Sequence, residues 1–340
     1  MQQAYRFSVA PMMDRTDRHF RVLVRQISRR CLLYTEMVVA RALHHTLRQG
    51  GAGGAAERRS RLEKLLGFDA VERPLVLQLG GEDPLELAEA ARLAADWGYD
   101  EINLNVGCPS AKVRQGRFGA CLMAEPDRVA RCVEAMADAV ALPVTVKHRI
   151  GIDERDSFVE LRDFVDTVAS AGARRFSIHA RKAWLDGLDP RQNRTIPPLR
   201  RDLVHRLKQE RPALTIELNG GLQSLPECRH ELAHVDGVMV GRAAYDHPLR
   251  WSTVDAEIFG EGLATPLLPS RVVRGMDAHA ERWCADGGRL WPIARPLLNL
   301  VEGVRGARRW RAQLSRAATA PGAGPEVLRE AARQLEEAGL

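Results

Sequence analysis

A chain of 340 residues, 45% hydrophobic and 28% charged, describes an ordinary soluble protein with room for one large domain of roughly 250 residues and a smaller one. No apolar run approaches the roughly 18 residues of a membrane span, and the opening MQQAYRF enters a strand too soon for a leader peptide, so a cytoplasmic protein without a membrane partner is expected. Six cysteines without a CxxC pair or repeated spacing suggest neither a zinc site nor a disulfide framework, and a net charge of +6 permits an anionic partner without requiring one.

Short apolar strands are predicted at 7–10, 32–37, 75–79, 101–106, 144–149, 175–179, 214–219 and 237–241. Helical patterns separate them. Asp83-Pro84 opens one helix as N-cap and first-position proline, and Gly98 closes it; another starts near Asp156-Ser157 and stops at Gly172. This alternation predicts an α/β fold, a (β/α)8 TIM barrel. The alternative, an open doubly wound sheet, calls for a glycine-rich turn after the first strand, where the residues after Ala10 read PMMDRTD.

The stretch QGGAGGAAERRS (49–60) is low in complexity and reads as a mobile, solvated loop after the second strand. After residue 260 strand signals cease. GEGLATPLLPS reads as a linker, and helices are predicted at 271–286, 295–300, 306–318 and 326–338. The expected organisation is a barrel domain over 1–260 and a small all-α helical-bundle domain over 261–340.

Strand alternation sends one set of side chains against the helices and the other into the barrel. Leu75, Leu77 and Leu79, with their counterparts in later strands, make the outer set. The inner set is polar: Gln78, Asn103 with Asn105, Lys147 with Arg149, Ser177 with His179, and Glu217 with Asn219. Each such group left unpaired in a core costs roughly 1 to 3 kcal/mol, so the mouth of the barrel is expected to hold something polar. The loops after the seventh and eighth strands commonly bind phosphate in such barrels. Here they read Asn219-Gly220-Gly221 and Gly241-Arg242, which offer close backbone N–H groups and a guanidinium.

Taken singly, Lys147 also reads as a solvated rim lysine and His179 as a core histidine; their shared inward parity favours a site. Cys108, in a Gly-Cys-Pro turn at a strand end, reads as a proton donor or nucleophile, a thiol with a reference pKa of roughly 8.5 being mostly protonated at neutral pH. Its alternative is a small buried apolar side chain. Cys31, Cys121, Cys132 and Cys228 are assigned to packing.

The segments Ala10-Pro11-Met12-Met13, Gln78-Leu79-Gly80-Gly81, Asn103 to Ser110 (NLNVGCPS), Gly116 to Met123 (GRFGACLM), Val146-Lys147-His148-Arg149, His179 to Trp184 (HARKAW), Asn219-Gly220-Gly221 and Gly241-Arg242 together closely resemble the tRNA-dihydrouridine synthases, in particular their bacterial A-type subfamily. The resemblance implies a flavin barrel in which FMN, reduced by NADPH, reduces the C5=C6 bond of uridines 20 and 20a in the tRNA D-loop. It implies that Pro11, Met12, Met13 and Gln78 contact the isoalloxazine, Lys147 its pyrimidine edge, and His179 the cofactor or the uracil. Asn219, Gly220, Gly221, Gly241 and Arg242 then hold the phosphate, and Cys108 is the proton donor to C5.

A stacked uracil has to be extruded to reach such a mouth, which calls for a wide grip on phosphates. Asn105, Arg117, Arg181, Lys182, Arg194, Arg305 and Arg308 are the candidate tRNA contacts, with Trp310 beside the last two to pack or stack. No metal and no protein partner are implied. Two other readings are an FMN-dependent reductase of a free pyrimidine or other small molecule, and a non-catalytic tRNA-binding protein.

Overall fold

The computed structural model of the chain describes residues 3–48, 54–262 and 264–340. Among these, nine parallel strands form one sheet: β1 (Phe7–Val9), β2 (Leu32–Tyr34), β3 (Val38–Val39), β4 (Leu75–Gly80), β5 (Glu101–Val106), β6 (Val144–Arg149), β7 (Arg175–His179), β8 (Thr215–Asn219) and β9 (Gly237–Val240). β1 pairs with β2 and with β9, and β2 pairs with β4, so the ring closes. An open doubly wound sheet is thereby excluded. β3 is the upper half of the second stave: β2 pairs with Leu75 and Val76, whereas β3 pairs with Leu79 and Gly80. The architecture is an eight-stave (β/α)8 barrel.

The single strand expected over 32–37 is therefore broken. The cause is local: the Gln78 N–H, which a continuing strand would satisfy with a carbonyl, donates at 3.0 Å to the Thr35 hydroxyl, and that hydroxyl donates to the Glu36 carbonyl at 2.7 Å. A side chain thus replaces one rung of the ladder, and the backbone leaves the sheet until Val38.

Outward-facing Leu75, Leu77, Leu79, Ile102, Leu104 and Val106 are fully buried under helices, as parallel strands covered on both faces require. The helix Pro84–Trp97 is capped by the Asp83 side chain, which accepts from the N–H groups of Leu85 and Glu86, and ends at Gly98 with φ 82°. The helix Phe158–Ser170 starts with a capping box between Ser157 and Glu160. Such caps fix where each helix leaves its strand end, and so where the mouth loops lie.

The loop expected over 49–60 is corrected in part. Residues 49–53 lie outside the described residues, but 54–60 belong to the helix Gly54–Leu66, which buries Leu62 and Leu66. Past Gly54 the stretch holds neither glycine nor proline, and apolar residues four apart give it a face to dock.

Beyond residue 262 the described residues form helices Pro269–Gly275, Asp277–Ala285, Trp291–Leu297, Ala307–Thr319 and Glu326–Glu337. The run expected over 271–286 is two helices that meet at Met276, and the one expected from 295 starts at Trp291, with Pro292 in its first turn. These helices seat on the barrel through Arg295, which donates to the Asp14 carbonyl at 2.8 Å and pairs with Asp17 at 3.3 Å, and through Asn299, which donates to the Tyr245 carbonyl at 3.0 Å. One apolar core runs through both parts. Among the described residues no helix is long and apolar enough to cross a membrane.

Candidate active site

The barrel interior has two polar layers with different fates. In the lower layer Arg175 lies between Glu101 and Glu217, its Nε 2.6 Å from Glu217, while Ser8 and Ser177 each donate to Glu217 at 3.1 Å. Burial pushes the Glu217 carboxyl up to about 7, against the pull of Arg175. These charges are spent on one another, so the lower half is a plug.

The upper layer opens into a cavity of about 820 Å³ at the carboxyl ends of the strands. A line of amides climbs its wall from below. Asn103 donates to Thr145 at 3.0 Å, Gln78 donates to Asn103 at 2.8 Å, and Asn105 donates to Gln78 at 2.9 Å. Asn105 Oδ1 then accepts the backbone N–H groups of Gly107 at 3.1 Å and Cys108 at 3.0 Å. The amides are thus directed toward the turn that carries the thiol.

Opposite this wall, Lys147 Nζ donates to Asn219 Oδ1 at 3.1 Å, and Asn219 in turn donates to the Met239 carbonyl at 2.7 Å. Burial, then the charge of Arg149, pulls the Lys147 amine down to about 8. Burial first, then Arg149 and Lys147, holds His179 well below its ordinary value, so its ring is neutral, and its buried Nδ1 has no hydrogen-bond partner among the described residues.

Among the described residues Arg149 donates only to backbone carbonyls: Gly107 at 2.9 Å, Lys182 at 3.0 Å and Asn193 at 2.9 Å. A buried guanidinium, a half-buried ammonium and an unpartnered imidazole nitrogen face one cavity, and among the described residues neither cation meets a carboxylate there. Such a site is built for an anion with hydrogen-bond acceptors.

Most of the candidate residues meet at this cavity. Pro11, Met12, Met13 and Gln78 form one part of its wall, and Asn105 and Cys108 the next. Lys147, His179, Asn219, Gly220 and Gly221 complete the floor, with Gly241, Arg242, Arg181 and Arg194 at the rim. At Gly220 φ is 115°, and a Cβ there would lie 3.1 Å from Leu199 and 3.5 Å from the His179 ring, so only glycine leaves this turn open.

On the thiol's own loop, the Ala120 N–H donates to the Cys108 carbonyl at 2.9 Å. Gly119, with φ 76°, permits that approach, since a Cβ would come within 2.6 Å of the same oxygen. Cys108 itself is half-buried.

Four candidates stand elsewhere. Arg117, at φ 57°, turns toward Glu82 at 3.6 Å and forms no part of the cavity wall. Lys182 donates to the Asp153 carbonyl at 2.8 Å and stacks over Trp184. Arg305 and Arg308 are exposed at the start of the C-terminal arginine-rich helix. Trp310 beside them is buried and donates to the Ala331 carbonyl at 2.9 Å, so it joins two helices and is not a stacking platform. The residue that sequence reasoning left without a role is Arg149. Its inward parity with Lys147 was a signal, but its carbonyl partners are distant in sequence.

A closed parallel barrel with a polar, cationic mouth of this kind belongs to the class of (β/α)8 barrels that carry their chemistry at the carboxyl ends of the strands. Comparison with known proteins narrows the class. The family described as dihydrouridine synthase matches residues 8–336. The chain is 52% identical over 335 residues to the tRNA-dihydrouridine(20/20a) synthase of Synechocystis sp., covering 98% of this chain and 95% of that one. It is 50% identical over 333 residues to the protein of that name from Escherichia coli K12, covering 98% and 92%, and 48% identical over 337 residues to that from Vibrio cholerae, covering 98% of each. The chain belongs to the dihydrouridine synthase family.

Proposed function

We propose that this protein reduces the C5=C6 bond of D-loop uridines at positions 20 and 20a of tRNA, with FMN as cofactor and NADPH as reductant. Support comes from relatives named for those two positions that align over nearly the whole of both chains. The single observation that carries the chemistry is a half-buried thiol on the wall of a cavity that also holds the cations Lys147 and Arg149 and an unpartnered imidazole nitrogen.

These residues fit a flavin mononucleotide. Lys147 would hold the electron-rich pyrimidine edge, with Pro11, Met12, Met13 and Gln78 against the ring system and His179 offering its free Nδ1. The turns Asn219-Gly220-Gly221 and Gly241-Arg242 would hold the phosphate. When bound and reduced, FMN supplies a hydride to C6 of the uracil.

The chain's own task is the proton. Cys108 Sγ delivers it to C5, and a positioned general acid contributes roughly 10² to 10⁴ in rate. Asn105 serves that step by holding the backbone of the Cys108 turn through its oxygen, and its second amino hydrogen is left to contact the base.

The barrel, 1–260, is the catalytic domain and the helices of 261–340 are the tRNA-binding domain. Arg181, Lys182, Arg194, Arg117, Arg305 and Arg308 receive phosphates while the target base is extruded into the mouth. The test is Cys108→Ala, which should keep the yellow cofactor and lose most tRNA reduction. Full activity in that variant would remove the thiol from the mechanism.

A further inference from the structure

Arg149 ends β6 and lines the cavity, yet it is only 4% exposed. Its three hydrogen bonds reach carbonyls of two loops. Gly107, on the loop after β5, is the neighbour of Cys108; Lys182 and Asn193 belong to the loop after β7. Burial and nearby cations lower its pKa to about 10, which leaves the guanidinium charged at neutral pH.

Each end of this bridge is itself firmly built. On the β5 side the thiol's turn hangs from Asn105 Oδ1. On the β7 side Asn193 is fully buried and organises its loop, accepting from the Trp184 N–H at 2.7 Å and donating to the carbonyls of Trp184 at 2.9 Å and Leu188 at 3.1 Å. The carbonyl that Arg149 grips therefore belongs to the hub of the loop that carries Arg181, Lys182 and Arg194. A guanidinium fork can hold several acceptors at once, which an ammonium cannot do with the same geometry.

We propose that Arg149 is a positioning residue that couples two loops: it sets the Cys108 turn against the basic segment 181–195, so that the thiol is in working position only while that segment is seated. The consequence for catalysis rests on Cys108 being the proton donor. The coupling itself rests on the hydrogen bonds alone.

The test compares Arg149→Met and Arg149→Lys with the unaltered protein by hydrogen–deuterium exchange and by steady-state kinetics on tRNA. In Arg149→Met, peptides across 105–120 and across 182–195 are expected to gain exchange together. The kcat should fall on the order of 10²-fold, as small misplacements of a reacting group do, while bound flavin is retained and half-saturating tRNA stays within about threefold. Arg149→Lys should recover part of both effects; where the methionine variant does not fold, the lysine variant still yields the paired reading, with smaller changes in the same two peptides.

Exchange that rises only across 182–195, or in neither peptide, overturns the coupling. So does loss of flavin with unchanged exchange, which would make Arg149 a cofactor ligand. Cys108→Ala separates the two levels: a fully active variant removes the kinetic consequence, and the exchange measurement still decides the coupling.

Discussion

Asn105 Oδ1 accepts the Cys108 backbone N–H at 3.0 Å, which makes an amide on the barrel wall the hook from which the thiol's turn hangs. Because the same oxygen also takes the Gly107 N–H, Asn105→Ala should free two part-buried donors and let the turn drift. We expect kcat on tRNA to fall about 10- to 100-fold with flavin content unchanged, and Asn105→Asp, which keeps the acceptor but loses the amide donor to Gln78, to recover part of it. A normal kcat with a raised tRNA requirement would instead return Asn105 to a substrate contact.

Lys147 gives a pH dependence with a definite sign. Burial and Arg149 hold its amine at about 8 instead of the ordinary 10.5. If the proposed flavin sets a negatively charged edge against this amine, that value rises and binding takes up a proton above pH 8. Affinity measured by flavin fluorescence quenching should be flat below about pH 8 and weaken by up to about tenfold per pH unit above it. In the flavin-free protein the same depressed value means that the unfolded chain holds more protons between pH 8 and 10.5, so stability contributed by this group rises across that window. Lys147→Met should remove both slopes; a slope that survives would assign it to another group.

The plug beneath the cavity predicts an asymmetry in stability. Arg175→Met strands Glu101 and Glu217 without their cation and should cost about 3–5 kcal/mol by urea denaturation, whereas Glu217→Gln, which keeps an acceptor for Ser8 and Ser177, should cost about 1 kcal/mol. Glu217 holds its proton up to about pH 7 in the folded chain, against an ordinary 4.5. The stability it contributes is therefore full below about pH 4.5 and lost as pH rises to 7, and Glu217→Gln should flatten that part of the profile. Equal costs for the two variants would contradict the plug.

Arg305 and Arg308 are exposed, and among the described residues they make no ion pair. If they meet phosphates, the double alanine variant should weaken tRNA binding and reduce the slope of log affinity against log salt by about two, roughly one per contact, leaving flavin content alone. An unchanged slope in filter binding across salt concentrations would remove them from the tRNA surface.

The barrel was readable because its physics is local and periodic. Inward Gln78, Asn105 and Lys147 alternate with outward Leu77, Leu79 and Val146, and caps such as Asp83 and Gly98 sit next to what they cap. What escaped reading depends on contacts between distant residues. The break in the second stave comes from the Thr35 hydroxyl taking the Gln78 N–H, and the turning of Arg117 toward Glu82 comes from a backbone at positive φ. Trp310 could pack or stack by sequence, and the carbonyl of Ala331 decides for packing. Arg149 showed its parity in the sequence, while its grip on Gly107, Lys182 and Asn193 exists only after three strands have been brought together.

The central claim, a flavin-bearing mouth that reduces particular uridines, is tested most directly by incubating the purified protein with unmodified tRNA and NADPH and mapping dihydrouridine nucleotide by nucleotide. The account predicts dihydrouridine at positions 20 and 20a, dependent on bound flavin and on Cys108. A flavin-free protein that leaves every uridine intact, or one that reduces free uridine and ignores tRNA, would contradict it.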